Sequence, residues 1–379
     1  MSFKKTLKNL PFLQKGKLDI PFLAFVLILL SVGLVMLFSA SYAYSYTYFG
    51  NSYRFISRQA IFAIIGVALM LFISKIDYHI LKKFSWIIYL VTVGMLILVL
   101  LLPASTELNV KRWLAIGSFS FQPSEIAKFA IVVIFSAWLS VNAEKIKQVK
   151  YLAFMLLVLG FVCFLVVSEP HLSATILIFA LGIVLLVVAG LQLRWIVAGG
   201  IAGASAVGFL IFSGIISYGS DRITYWLDPW SDPSGKGYQT IQSLLAIGSG
   251  GILGRGIGQS RQKYLWVPEP HNDFIFSIVC EELGLIGAMA IILLFCALIW
   301  RGFTIASRAQ DRFGTFLAIG LTFQVGLQAI LNILVVTNTI PNTGISLPFF
   351  SYGGTALVIL LAEMGVVLSV SRASSVEKL

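Results

Sequence analysis

The sequence predicts an all-α, polytopic membrane protein of about ten transmembrane helices, and three observations lead to this fold class. First, 58% of the 379 residues are hydrophobic and only 11% are charged, whereas soluble domains contain about 25% charged residues. Second, the apolar runs are about 20 residues long, which suits helices that cross a hydrocarbon core of roughly 30 Å rather than barrel strands. Third, the basic residues concentrate in short segments between alternate runs, which is typical of cytoplasmic loops.

Each apolar run is interpreted as one span, and in chain order the spans are 20–43, 57–74, 84–103, 123–141, 151–168, 172–190, 195–216, 274–300, 313–336 and 355–371. The first run is too long for the hydrophobic part of a signal peptide, so we expect it to remain as a span. With the N-terminus inside, cytoplasmic segments carry most of the 27 Lys and Arg residues. Both termini are therefore predicted to be cytoplasmic: a basic segment 1–19, a transmembrane domain 20–372 and a tail 373–379.

The loop lengths restrict the chemistry. The predicted cytoplasmic loops are too short for a nucleotide-binding domain, and no G-x-x-x-x-G-K-[ST] motif occurs. The longest connection, 217–273, is predicted to lie outside, and its apolar spacing predicts a short amphipathic or re-entrant helix over 237–248. We therefore expect the chemistry outside the membrane and without direct use of ATP. The net charge of +11 is attributed to topology and not to nucleic acid.

A basic, glycine-rich stretch ends this outer loop. Arg255, Arg261 and Lys263 alternate with glycines, a combination that suits a phosphate-bearing ligand. Asp273 follows at the start of the eighth predicted span, where a carboxylate can cap the helix or react. We favour Asp273 as the reacting carboxylate of a site for an anionic, lipid-anchored substrate.

Two further polar features lie inside predicted spans. Ser277 and Glu281 follow Asp273 by one and two helical turns, which predicts a polar seam whose deeper end lies about 12 Å into the bundle. Glu125 and Lys128, three residues apart in the fourth span, predict a buried structural ion pair.

Several motifs of this chain resemble the SEDS family, the polytopic glycosyltransferases of shape, division and sporulation that include RodA, FtsW and SpoVE. In chain order they are Lys111-Arg-Trp-Leu, Gln122-Pro-Ser-Glu-x-x-Lys128, Glu169-Pro, Gln239-x-x-Gln-Ser-x-x-Ala-Ile-Gly-Ser-Gly-Gly251, Pro268-Glu-x-His-x-Asp-Phe-Ile-Phe276, Glu281-Glu-Leu-Gly284 and the segment from Pro341 to Gly354. The resemblance runs from about residue 20 to 372, and the stretch around 258–274 is closer to FtsW and SpoVE than to RodA.

The resemblance implies a peptidoglycan glycosyltransferase that polymerises lipid II into β-1,4-linked glycan strands on the outer face of the bacterial cytoplasmic membrane, in cell division or sporulation. By position, Asp273 matches the catalytic aspartate, a general base, and Glu269 matches a glutamate that influences activity. Candidate substrate contacts, from the basic stretch and the matching motifs, are Arg255, Arg261, Lys263, Glu269, His271, Gln239, Ser351 and Tyr352. The chain departs from common family residues at Thr343, Asn272 and Ser173-Ala174.

The resemblance also implies partners: lipid II and the lipid-linked growing glycan, a class B penicillin-binding protein, and other division or sporulation membrane proteins. Undecaprenyl pyrophosphate would be the leaving group, stabilised by the bases directly or with a divalent cation, Mg²⁺ or Mn²⁺. No cofactor is certain from the sequence, and no metal ligand is assigned. Two alternatives stay open, a flippase for a lipid-linked precursor and a non-catalytic scaffold for the penicillin-binding protein. The absence of a visible internal repeat and the crowding of charges outside favour surface chemistry.

Overall fold

The helices of the structure follow the predicted spans closely. The computed structural model describes residues 16–102, 112–116, 119–192, 194–195 and 224–374. Within these ranges the main helices are α1 (Ile20–Phe49), α2 (Arg54–Ile73), α3 (His79–Lys83), α4 (Ser85–Leu101), α5 (Pro123–Asn142), α6 (Val149–Ser168), α7 (Leu172–Val188), α8 (Tyr238–Gly250), α9 (Ile275–Ser307), α10 (Arg312–Val336) and α11 (Gly354–Ala373). A short antiparallel hairpin, β1 (Leu114–Ile116) and β2 (Phe119–Phe121), precedes α5.

The fold class is confirmed. In the described part of the chain, seven helices of at least 20 residues are apolar enough to cross a membrane, and α4 and α7 are shorter apolar helices. The predicted span 195–216 falls almost wholly outside the described residues, as do most of the predicted end segments 1–19 and 373–379. The helix expected within the outer loop is present as α8.

Two helices run past their predicted ends, α1 to Phe49 and α9 to Ser307. The last two turns of α1 are rich in Ser and Tyr, so hydropathy falls there although the backbone stays helical. The helix ends at Gly50, which takes a left-handed conformation (φ 67°) and donates its N–H to the carbonyl of Tyr46 at 2.8 Å. A hydropathy pattern shows how much of a helix is apolar and not how long the helix is. For this reason the predicted end of α1 came six residues before its observed end.

The first and ninth helices are joined at the predicted cytoplasmic end. Asp19 caps α1 by accepting a hydrogen bond from the N–H of Phe22 at 3.0 Å. The same carboxylate accepts hydrogen bonds from Nε and Nη2 of Arg301, at 3.0 and 2.8 Å. A bidentate pair of this kind fixes direction as well as distance, so the start of α1 and the end of α9 are held in one register.

Helix α10 lies at the centre of the bundle and packs against α5, α7, α9 and α11. Helix α2 packs along α11, and α1 packs along α9. Small residues allow close approach in these contacts; a Cβ at Gly365 in α11 would lie 2.6 Å from the Met70 carbonyl of α2. Helix α10 therefore packs against helices from both halves of the chain.

Helix α9 is broken at Gly284, where φ is 67° and ψ is −169°. The returning segment 251–256 fills the break, since Leu285 and Ile286 donate their N–H groups to the carbonyls of Gly251 and Ile252. In the other direction, the N–H groups of 255 and 256 bond to the carbonyls of 281 and 282. Backbone inside a membrane must find such partners within the protein. The sequence predicted a span over 274–300, which the structure contains, and gave no sign of the break inside it.

The segment after α8 reaches the break because glycines allow the two backbones to touch. A Cβ at Gly284 would lie 2.2 Å from the nitrogen of Gly254, and a Cβ at Gly254 would lie 2.3 Å from the carbonyl oxygen of Glu282. Gly250 makes a similar contact with Cys280. Helix α8 and the following segment thus form a re-entrant unit that packs against the upper part of α9.

We predict that Gly284→Ala lowers the thermal stability of the purified protein strongly. A side chain there collides with the Gly254 backbone and also requires a left-handed conformation, which alone costs roughly 1–2 kcal/mol. Gly248→Ala is the matched control, because Gly248 is exposed in α8 with open space around its Cα and the change favours helix by about 0.5–1 kcal/mol. Thermal unfolding in detergent measures both; equal melting temperatures for the two variants would contradict the packing described.

Candidate active site

A polar cavity of about 240 Å³ lies where the first turns of α5 and α7 and the residues before α9 meet the segment 344–353. The polar side chains that line it come from parts of the chain far apart in sequence: Arg112, Gln122, Glu125, His171, Ser173, Asn272, Asp273, Gln328, Ser346 and Tyr352. This is the end of the bundle that the charge distribution predicts to face outside.

Asp273 lies at the wall of this cavity and is half-buried. It is adjacent to Gly344, where a Cβ atom would come 3.2 Å from Asp273 Oδ2. Burial and the negative charge of Glu269 raise the pKa of Asp273 to about 6, against the opposing effect of Arg112. Helix α9 begins after Phe274 without a side-chain cap. The capping role considered for Asp273 is therefore not the one that the structure shows.

Arg112 is the arginine of the cavity wall, and sequence reasoning gave it no role. It precedes β1, and its Nε donates to the carbonyl of Glu169 at 3.3 Å while Nη2 donates to the carbonyl of Pro170. Two backbone acceptors hold the guanidinium at the turn between α6 and α7. The available signal was its position in the Lys111-Arg-Trp motif, although Lys111 itself lies outside the described residues.

Two titratable groups behind this arginine have pKa values shifted toward their uncharged forms. Burial raises the pKa of Glu169 to about 8, in spite of Arg112, and among the described residues neither carboxyl oxygen has a hydrogen-bond partner. Burial, together with nearby cations, lowers the pKa of His171 to about 3. The Nδ1 atom of His171 lies 3.2 Å from both Gln122 Nε2 and Ser124 Oγ. Neither group therefore competes with Asp273 as an anionic base near pH 7.

Glu125 and Lys128 lie 2.7 Å apart, from Oε2 to Nζ, in the first turns of α5. Lys128 is almost fully buried, whereas Glu125 also lines the cavity. A second acid, Glu363 of α11, is buried nearby and accepts a hydrogen bond from Gln324 at 2.8 Å. The pair thus lies directly below the cavity, between α5, α10 and α11.

The three bases of the glycine-rich stretch do not line the cavity around Asp273. Lys263 is 2% exposed, and its Nζ lies 3.0 Å from both Glu282 Oε1 and Ser39 Oγ. Arg255 is exposed, and its Nε lies 3.7 Å from Glu281. Arg261 is exposed as well. Sequence adjacency predicted these bases beside Asp273, whereas the structure places Lys263 and Arg255 next to two buried carboxylates deeper in α9, because an unpaired buried carboxylate is costly.

The predicted seam below Asp273 does not continue the cavity. Ser277 is buried and donates its hydroxyl to the Phe274 carbonyl of its own helix. Glu281 is fully buried and accepts the Ser260 hydroxyl at 2.5 Å and the N–H of Arg261 at 2.9 Å. Its carboxylate serves as an anchor for the returning loop, so the polar residues are present but they bind protein.

The remaining predicted contacts divide into two groups. Tyr352 lines the cavity, and Ser351 donates its hydroxyl to the Asn272 carbonyl at 2.9 Å. The other three lie away from the cavity wall. His271 is buried with its ring 4.2 Å from that of Phe55, and burial lowers its pKa to about 4. Gln239 contacts Pro268 and Asn342, and the exposed Glu269 accepts a hydrogen bond from Asn272 at 2.7 Å.

A divalent cation would need a cluster of oxygen or nitrogen ligands. In the ranges that the structure describes, no three His, Cys, Asp or Glu side chains come together in an arrangement that could hold one. The described residues therefore hold no preformed cluster of three such ligands for the Mg²⁺ or Mn²⁺ considered from the sequence, whereas Mg²⁺ commonly binds through one or two carboxylates together with the phosphates of its substrate.

These features define a class of protein: a multi-pass helical membrane protein with a half-buried carboxylate in a polar cavity at one end of its bundle. The model of the FtsW/RodA/SpoVE family, described as cell cycle proteins, matches residues 20–376. The chain belongs to this family, which confirms the resemblance drawn from its motifs.

Individual relatives agree over almost the whole chain. Stage V sporulation protein E of Bacillus subtilis (strain 168) is 41% identical over 363 residues, which cover 95% of this chain and 99% of that protein. The probable peptidoglycan glycosyltransferase FtsW of Geobacter sp. (strain M18) is 38% identical over 93% of this chain and 96% of its own length. In a solved peptidoglycan synthase complex, one chain matches with a TM-score of 0.79 at 27% identity, covering 94% of this chain and 98% of that one. The fold is also that of the rod shape determining protein RodA of Thermus thermophilus, with a TM-score of 0.70 at 24% identity and the same coverage.

We predict that Lys263→Met destabilises the protein by about 3–5 kcal/mol, because it leaves Glu282 buried without a cation. Arg261→Met, two residues earlier, should change stability by less than about 0.5 kcal/mol, because its side chain is exposed. Thermal unfolding in detergent and yield of folded protein measure the difference. A stable Lys263→Met protein with a raised KM for substrate would instead support the substrate contact predicted from the sequence.

Proposed function

We propose that this protein is a peptidoglycan glycosyltransferase that polymerises lipid II on the outer face of the bacterial cytoplasmic membrane. The single observation that carries the proposal is the half-buried carboxylate of Asp273 in a polar cavity at the predicted outer end of the bundle. Family membership and the name of the Geobacter FtsW relative support the activity. The names of the relatives fit a role in cell division or in sporulation.

Asp273 is the general base of this reaction. The GlcNAc 4-hydroxyl of lipid II attacks the anomeric carbon of the MurNAc residue at the lipid-linked end of the growing glycan. The new C–O bond forms as the bond to undecaprenyl pyrophosphate breaks, and the hydroxyl proton moves to the Asp273 carboxylate and then to water. One displacement inverts the α-linked donor into a β-1,4 linkage. The energy comes from cleavage of the bond between the MurNAc anomeric carbon and the pyrophosphate, so no ATP site is needed.

Arg112 is the cation that we assign to the departing pyrophosphate. It lines the same cavity as Asp273, and two backbone carbonyls fix its orientation. A prepositioned guanidinium suits phosphate oxygens because it can donate two parallel hydrogen bonds. The exposed Arg255 and Arg261 stay candidates for contacts with the polar part of a lipid substrate nearer the re-entrant loop, whereas the Nζ of Lys263 is engaged by Glu282.

A class B penicillin-binding protein is the proposed partner, together with other division or sporulation membrane proteins. Support comes from the chain of a peptidoglycan synthase complex that coordinates polymerization and crosslinking, since that chain shares the fold over its whole length. The transmembrane helices embed the protein in the membrane. No contact in the described structure favours the flippase or the scaffold alternative, and both are outcomes of the first experiment below.

We predict that the purified protein, alone or with its transpeptidase, forms glycan strands from lipid II and that Asp273→Asn lowers the rate by about 10²–10⁴-fold. Only the ionised carboxylate accepts a proton, and its pKa is raised to about 6, so the wild-type rate should rise with pH and reach half its maximum near pH 6. Polymer length on gels measures the rate.

Asp228→Asn is the control for this experiment, because Asp228 is an exposed acid of the same outer loop that lies away from the cavity. Wild-type polymerisation by Asp273→Asn would remove the base assignment. Transfer of lipid II across liposomes without any polymer would favour the flippase, and inactivity under every condition with intact partner binding would favour the scaffold.

We further predict that Arg112→Gln lowers kcat by roughly 10²-fold, because the leaving group loses a charged donor in a site of low dielectric. Arg54→Gln is the matched control: Arg54 lies near the same end of the bundle, stacks 4.0 Å above the Phe49 ring, and does not line the cavity. Steady-state kinetics with lipid II compare the two. Equal kcat values for both variants, with both proteins folded, would argue against the assignment.

A further inference from the structure

Three successive carbonyl groups lead up to the carboxylate of Asp273, and each accepts one hydrogen bond from α10 or from the segment before α11. The donor and acceptor pairs are Tyr352 N to His271 O at 2.8 Å, Ser351 Oγ to Asn272 O at 2.9 Å, and Asn332 Nδ2 to Asp273 O at 2.7 Å. The backbone that carries the candidate base is therefore fixed residue by residue, in contrast to an ordinary surface loop.

Asn332 is the member of this set that comes from a central helix. It is fully buried in α10, and its Nδ2 also donates to the carbonyl of Ile345 at 2.7 Å. The amide nitrogen thus bridges two backbone carbonyls, one on each side of the cavity wall formed by Asp273 and Gly344. Both of its N–H bonds are used, which fixes the plane of the amide.

A second buried amide supports the same region from the opposite side. Gln59 of α2 is 1% exposed, donates Nε2 to the Ser351 carbonyl at 3.2 Å and accepts the N–H of Gly353 at the same distance. The segment that holds residues 271–273 is in this way attached to α2 as well as to α10. Burying an amide group is costly unless it is hydrogen-bonded, and here the Asn332 nitrogen and both ends of the Gln59 amide are bonded to backbone of the site.

We propose that Asn332 is the positioning residue of Asp273, holding its backbone to that of Ile345 so that the carboxylate stays opposite Gly344. This inference rests on the proposed function, since it concerns the base of that reaction. Asn332 touches no reacting atom and acts through the main chain. Proton transfer requires the base within hydrogen-bond reach of the hydroxyl, and a displacement of about 1 Å can cost roughly 10²-fold in rate.

The alternative role for Asn332 is purely structural, the satisfaction of two buried carbonyls at the end of α10. The two roles differ in what they change. A structural amide affects the amount and stability of folded protein, whereas a positioning amide also changes kcat and the ionisation of Asp273 in protein that is folded. A loosened Asp273 gains water, which brings its pKa down toward the ordinary value for an aspartate and moves the acidic limb of the rate profile to lower pH.

The test is Asn332→Leu, which keeps a similar volume and removes both hydrogen bonds. With lipid II as substrate, we expect kcat to fall about 10²-fold, KM to change by less than about 2-fold, and half-maximal rate to occur at lower pH than in the wild type. Ser243→Ala is the matched control. Ser243 is buried in α8 and donates one hydrogen bond, at 2.9 Å, to the carbonyl of Val336 in α10, the helix that carries Asn332, and it makes no hydrogen bond to 271–273. Its kcat and pH profile should be those of the wild type.

Asn332→Asp covers the case in which Asn332→Leu does not fold, since it keeps the shape and can donate at most one of the two hydrogen bonds. It should also lose kcat, whereas a wild-type kcat and pH profile in either folded variant would overturn the proposal. The proposal would also be overturned if the rate fell only in proportion to the amount of folded protein, with kcat per folded molecule unchanged. Asp273→Asn, measured in parallel, separates the two inferences: if it stays active the base assignment fails, and if it alone is inactive only the positioning role fails.

Discussion

Two neighbouring carboxylates in α9, Glu281 and Glu282, hold the outer loop in the position on which the site depends. Both are fully buried. Their oxygens accept hydrogen bonds from the N–H and hydroxyl of Ser260, from the N–H of the next residue, from the Lys263 ammonium and from the Ser39 hydroxyl of α1. A carboxylate in an apolar environment is stable only when its oxygens are paired in this way. These bonds hold the loop inside the bundle, where the backbone of 251–256 can fill the break of α9 at Gly284. The chain then returns to the start of α9 at Asp273.

This arrangement separates the charges of the outer loop into two sets. Arg255 and Lys263 of the glycine-rich stretch lie beside the buried acids of α9, while Asp273 shares its cavity with Arg112, which precedes β1. Among the described residues, Arg112 is the cation that lines this cavity, and the carboxylate beside it is partly desolvated. That balance explains how its pKa can rise to about 6 next to an arginine.

Most of the architecture could be predicted from the sequence, because hydropathy and loop charge depend on the membrane and not on tertiary contacts. Helix α8 was also predictable, from its local periodicity. The break at Gly284 was not, because Leu283 to Ile286 read as an ordinary apolar run and the partner segment comes from 251–256. Asp273 was found from its position at the start of a span.

The missed residues share one property: their roles depend on contacts across long stretches of sequence. Arg112 is held at the site by the turn after α6, and the partner of Lys263 is decided by burial rather than by nearness in the chain. Asn332 and Gln59 are single amides inside apolar helices, where local sequence offers no sign of what they bind. Side chains that hold backbone are the least visible part of a site when only the sequence is read.

The contacts between α1 and α9 have a mechanical consequence. Asp19 meets Arg301 at one end and Ser39 meets Glu282 at the other. About 20 residues separate the two contacts on each helix, which corresponds to roughly 30 Å, close to the thickness of a hydrocarbon core. A slip of one turn, about 5.4 Å, would break both contacts at once. The two contacts thus fix the register of α1 against α9. In a thinner bilayer the two helices are therefore expected to tilt together, because one cannot slide along the other.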